Sequence, residues 1–336
     1  MIAKETGILD VLGIPDSQFI VPVFQRVYSW TARECEDLID DVLAAGAAER
    51  AHFTGSFLYA PCASEENGIR AFQIIDGQQR MTTVTLMLLA FVERGRAASG
   101  ARAARANEIA QRYLLSDGGT EPKLLLTSID GDMLAYLLGL QEEPADVAVR
   151  LQENLDVFRG RMAQPDFDET TFWSGCERLR VLGIELSPED SSQEVFESLN
   201  SKGKRLAVED LIRNAILSFT IGGAGAQQLY ERRWLPLEES VAAAPDLDME
   251  DMLCSWIASR HDEVYLDSKS EVYPLFKDDL VTAYGGDCES LLVDVRVYAD
   301  ELVGSEQLRR DRMAELDRWL QGKPKNIISE KRMFGD

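Results

Sequence analysis

Five consecutive residues, Asp76-Gly-Gln-Gln-Arg80, concentrate the chemistry of this 336-residue chain. An apolar run, Phe72-Gln-Ile-Ile75, leads into them, and a second apolar run starts at Met81. A strand that ends at a glycine turn leaves the first N–H groups of the next helix outside the helical ladder. Those groups and the positive end of the helix dipole attract an anion, commonly a phosphate. Gly77 permits close backbone approach or an unusual dihedral, and Arg80 can grip phosphate oxygens in a bidentate way. Asp76 suits a metal ion or a sugar hydroxyl. The pattern is a nucleotide-site candidate without the Walker spacing. The same residues also fit a plainer description: a strand, a tight turn and a capped helix whose polar groups face water. Two glutamines and an arginine are poor turn formers, which moves the reading toward binding.

The elements that must hold this turn read as mixed α/β. Gln18 to Phe24 has the composition of a strand, with Pro22 marking an edge or an irregularity. Thr31 and Glu34 form a capping box, and the helix from Ala32 to about Ala45 gathers Cys35, Leu38, Ile39 and Val42 on one face. Phe53–Tyr59 and Phe72–Asp76 read as two further strands. The helix from Met81 to about Arg94 is apolar nearly all round, so it belongs in the middle of a domain. Lys123–Ile129 is expected as a short strand ahead of a helix from about Asp132, and Arg180–Leu186 as another strand. Beyond that point helices dominate: one opened by Ser187-Pro-Glu-Asp190, one from Val208 to Phe219, and one carrying Trp234.

Composition narrows the classes. A net charge of −23 opposes tight nonspecific binding of DNA over the whole surface. Arg94, Arg96, Arg102, Arg105 and Arg112 run against that sign in an alanine-rich stretch and read as solvated helix faces, with DNA contact as the alternative to test. Five scattered cysteines without a Cys-x-x-Cys pair support neither a disulfide framework nor a zinc site. With no leader and no apolar run near the length of a membrane span, a cytoplasmic protein is expected. His52 and His261 read as structural residues.

Three blocks together resemble one family. Phe19-Ile-Val-Pro-Val-Phe-Gln-Arg-Val-Tyr-Ser-Trp30 is similar to an Ile-Pro-x-Tyr-Gln-Arg-x-Tyr-x-Trp pattern. Ile75-Asp-Gly-Gln-Gln-Arg-Met-Thr-Thr83 is close to Ile-Asp-Gly-Gln-Gln-Arg-Leu-Thr-Thr. Phe196-Glu-Ser-Leu-Asn-Ser-Lys-Gly-Lys-Arg-Leu206, followed by Asp210-Leu-Ile-Arg-Asn214, looks like the third block. In this order they resemble the N-terminal domain of GmrSD-type modification-dependent restriction proteins, related to the ParB/sulfiredoxin-like superfamily.

The resemblance implies a nucleoside triphosphate, with magnesium, at Asp76, Gly77, Gln78, Gln79 and Arg80. Thr82 and Thr83 would lie in the first helical turn, and Gln25 and Arg26 would form the opposite wall. Arg80 would stabilise phosphate charge, Gln78 or Gln79 would orient an attacking water, and Asp76 would position Mg2+. Asn200, Lys202 and Gly203 form a turn that either contacts the nucleotide or is purely structural. The same alternatives hold for the face carrying Asp210, Arg213 and Asn214. Tyr28 and Trp30 would either stack on a DNA base or pack the start of the next helix.

The implied organisation is an α+β, ParB-like domain with a small sheet over residues 1–120, a continuation over 121–220, and a helical region over 221–336. The implied function is a nucleotide-binding, NTP-hydrolysing sensor of an anti-phage restriction system acting on modified phage DNA. A DNA-nicking nuclease and a noncatalytic nucleotide- or DNA-binding module are the alternatives. No His-Asn-His signature surrounds either histidine, so the nuclease is expected from another domain or another chain.

Overall fold

A computed structural model describes residues 1–22, 25, 27–62, 68–145, 148–187, 190, 195, 207–219, 223–261, 264, 266 and 268–321. The chain divides into two compact units, Met1–Phe196 and Glu197–Asp336.

The first unit carries a sheet and the helices packed on it. Its elements begin with β1 (Ile2–Gly7), α1 (Ile8–Leu12), β2 (Ser17–Ile20), α2 (Ala32–Ala48), β3 (His52–Pro61), β4 (Arg70–Asp76) and α3 (Gln78–Arg96). They continue with α4 (Ala101–Ile109), β5 (Leu115–Ser116), β6 (Glu121–Pro122), β7 (Leu124–Leu125), α5 (Ser128–Leu137), α6 (Val149–Met162), α7 (Glu169–Cys176) and β8 (Leu179–Glu185). Six strands form one mixed sheet in the order β1-β8-β3-β4-β2-β7, and β5 pairs with β6 separately. β3 runs antiparallel to β4 and parallel to β8, whereas β2 lies parallel to both β4 and β7. The mixed α/β expectation therefore holds.

α3 occupies the middle of this unit. Met81, Val84, Leu86, Met87, Leu88, Leu89 and Val92 are all buried, as a helix that is apolar all round requires. Helices α6 and α4 pack along it. α2 is opened by the expected capping box, in which the Thr31 N–H donates to Glu34 Oε2 at 2.8 Å. α2 and α7 cross at Gly46 and Gly175, where each glycine meets a backbone carbonyl of the other helix. Beneath the site, Phe19, Phe57, Tyr59 and Phe72 form an aromatic cluster with ring centroids 5.2 to 6.0 Å apart.

Several elements differ from the sequence reading. α3 starts at Gln78 rather than Met81, so both glutamines and Arg80 stand in its first turn. The strand expected over 123–129 shrinks to Leu124–Leu125, because β2 offers it only two partners, and α5 begins at Ser128. β1 has no alternating pattern and forms by pairing with β8 over its whole length.

Among its described residues the regular elements of the second unit are all helices. Its core includes Ile212, Ile216, Trp234, Leu237, Phe276 and Leu291. Here the Asp210–Arg213 pair belongs to an ion network within the unit. The Arg213 guanidinium meets Glu238 at 2.9 Å and Asp210 at 3.3 Å, and it lies over the Trp234 ring. Ala207 supplies no side-chain cap to helix Val208–Phe219, and Glu250 Oε1 accepts the Val208 N–H in its place at 2.8 Å. His52 and His261 face Asp41 and Asp279 at 3.3 and 3.1 Å. Among the described residues no helix is long and apolar enough to cross a membrane.

Candidate functional site

The site is built where β4 ends and α3 begins. Gly77 is the residue before the helix, at φ +95° and ψ 9°, a left-handed conformation that costs a side-chain-bearing residue free energy. A Cβ there would also stand 3.0 Å from the Phe57 ring and 3.2 Å from Ser56 O. The first intrahelical bond runs from Met81 N to Gly77 O at 3.0 Å. The N–H groups of Gln78, Gln79 and Arg80 therefore lie ahead of the helical ladder at the positive end of the helix.

Arg80 lies across two glycines. A Cβ at Gly55, itself at φ +110°, would stand 2.7 Å from Arg80 Nη2, and a Cβ at Gly77 3.4 Å from Nη1. Nη1 donates to Ser56 O at 2.5 Å. The Ser56 hydroxyl in turn donates to Asp76 Oδ2 at 3.1 Å, so one residue of β3 touches both charged members of the turn. Burial pulls the guanidinium below its ordinary value, while the nearby Asp76 charge opposes that shift. A side chain with five N–H donors thus makes one hydrogen bond and no ion pair among the described residues.

The glutamines differ. Gln79 is buried and its carboxamide is used at both ends. Oε1 accepts from Ser29 N at 2.8 Å and Trp30 N at 3.3 Å, and Nε2 donates to Val27 O at 3.2 Å. Gln78 is buried in the same turn. Gln25 is tied to the end of β4, its Nε2 donating to Ile75 O at 2.9 Å and Ile74 O at 3.3 Å.

Thr82 and Thr83 are buried, and Thr83 belongs to an internal network. Its hydroxyl donates to Gln79 O at 2.8 Å and lies 2.7 Å from the Tyr28 hydroxyl. Tyr28 is buried, which makes it packing for α2 and α3 and no stacking platform. Burial drives its phenol far above the ordinary value. Arg26, Asn200, Lys202 and Gly203 lie outside the described residues. The arginine-rich stretch is engaged within its own unit: Arg94 and Arg102 both pair with Glu169, and Arg105 lies over the Trp173 ring.

The sequence pattern of the GmrSD restriction endonuclease, N-terminal domain, matches residues 8–217, well over half of the chain. The chain belongs to this family. It is accordingly a restriction-system component. No curated protein matches it.

In this GmrSD N-terminal domain, four residues that contact the turn or the 27–30 segment carry no reading from the sequence: Gly55, Ser56, Asp130 and Asn154. Gly55 had a readable signal, since a glycine inside a strand marks a bulge or a close approach. The register of β3 does shift between Phe53 and Ser56. Asp130 and Asn154 had no such signal. They reach Tyr28 from 102 and 126 residues away.

Proposed function

We propose that the Asp76–Arg80 turn binds the phosphates of a nucleoside triphosphate, and that the chain is the nucleotide-hydrolysing sensor of a modification-dependent anti-phage restriction system. The observation that carries this reading is the half-buried Arg80, a cation with spare donors set at a helix N-terminus. An anion on its open side would supply the charge that the surrounding protein leaves unbalanced. The two glycines beneath Arg80 let its guanidinium lie against the backbone of β3 and of the turn, which fixes the cation in place at the helix N-terminus.

Magnesium commonly takes one or two carboxylates together with substrate phosphates and keeps several waters, a demand that Asp76 fits. When bound it would neutralise phosphate charge. The chain's own contribution is positioning: Arg80 on the phosphate oxygens and Gln78 on the attacking water. Gln79, held at both ends by the 27–30 segment, serves as a strut. That same strut favours a second reading, nucleotide binding without turnover as a switch. In either case cleavage of DNA would fall to a nuclease domain or subunit.

Phosphate release from each of the four ribonucleoside triphosphates with magnesium separates the readings. Turnover by the native chain, lost in Gln78→Ala with nucleotide still bound, supports the hydrolase. Nucleotide-dependent stabilisation without turnover supports the switch. Neither response would contradict both.

A further inference from the structure

We propose that Asp130 on α5 and Asn154 on α6 are positioning residues of the candidate site, holding the 27–30 segment against the first turn of α3. The functional consequence rests on the nucleotide reading above, while the clamp itself stands on geometry alone.

Side chains hold the backbone polar groups of four consecutive residues in this segment. Val27 O accepts from Gln79, and the Ser29 and Trp30 N–H groups donate to Gln79. Tyr28 N donates to Asp130 Oδ2 at 2.6 Å, and Trp30 O accepts from Asn154 Nδ2 at 2.8 Å. Asn154 Nδ2 also donates to the Tyr28 hydroxyl at 2.9 Å. The Thr83 hydroxyl is committed to Gln79 O, so Tyr28 donates onward to Thr83, and the chain runs from Asn154 into the backbone of the motif itself. Gln25 pins the head of the segment to the last residues of β4.

Two features are expensive for a residue that merely packs. Asn154 is fully buried, and its Oδ1 has no hydrogen-bond partner among the described residues. Asp130 is buried without an ion-pair partner among the described residues, and burial pushes its carboxyl up against the opposing Tyr28 N–H. Sites that keep such groups are commonly those where a fixed geometry matters.

The test uses the full chain with Asn154→Ala, Asp130→Ala and Asp130→Asn. Backbone amide exchange over residues 27–31 reads the clamp, and nucleotide Kd reads its effect on the site. Each alanine variant should speed exchange at Tyr28, Ser29 or Trp30 at least about tenfold and raise Kd about tenfold. Asp130→Asn keeps an acceptor oxygen and should recover most of both. If Asn154→Ala does not fold, Asp130→Ala decides. Unchanged exchange in a folded alanine variant would overturn the clamp. Faster exchange with unchanged Kd would overturn its positioning role. A native chain that binds no nucleotide would sink the nucleotide reading, and with it the positioning role, while exchange would still decide the clamp.

Discussion

Gly175→Ala should unfold the first unit or lower its stability by about 3 kcal/mol, among the largest effects expected of one methyl group. The reason is that α2 and α7 touch through their backbones. A Cβ on Gly175 would overlap the carbonyl of Val42, and one on Gly46 the carbonyl of Thr171. Neither obstacle is a flexible side-chain end that can swing away, so the helices must separate along their contact. Closely packed interiors do not absorb such a shift locally. Gly160 on α6 gives the opposite sign. Nothing lies within 4 Å of a Cβ there, so Gly160→Ala should raise stability by about 0.5–1 kcal/mol through helix propensity. Urea unfolding of both variants tests the pair, and equal tolerance would contradict the packing described.

Arg80→Ala should weaken nucleotide binding by a hundredfold or more, about 3 kcal/mol, while the fold survives. Charge-assisted hydrogen bonds to phosphate are the strong ones, and a guanidinium can make two in parallel. Arg80→Lys should restore little, because a lysine is a point charge on a flexible stem and lacks the planar fork. The fold has less to lose, since Arg80 makes one hydrogen bond among the described residues, to Ser56 O. Gly55→Ala should imitate part of the loss. Its methyl group would displace the end of Arg80 and sit on a backbone at φ +110°, so it both strains β3 and misplaces the charge.

Much of this architecture was legible in the chain because local rules and tertiary structure agree there. α3 announces its central position by being apolar on every side, and Thr31 with Glu34 marks the start of α2. The turn at Asp76–Arg80 was legible for the same reason, a strand, a glycine and an apolar helix in direct succession. What escaped was set by distant partners. The first turn of α3 extends back to Gln78 because the 27–30 segment satisfies Gln79, which no window around residue 79 contains. β1 exists because β8 pairs with it. The helix at Val208 is capped by Glu250, 42 residues on, where its own sequence offers only Ala207. Asp130 and Asn154 carry no motif, and their roles arise only when α5 and α6 come to rest beside Tyr28.

The most direct test of the central claim is equilibrium binding of magnesium nucleoside triphosphates to the native chain and to Arg80→Ala, read from the shift in unfolding temperature with nucleotide concentration. A concentration-dependent rise in the native chain that disappears in a folded Arg80→Ala variant is the predicted result. The same rise in both chains, or none in the native chain, would contradict a nucleotide site at this turn.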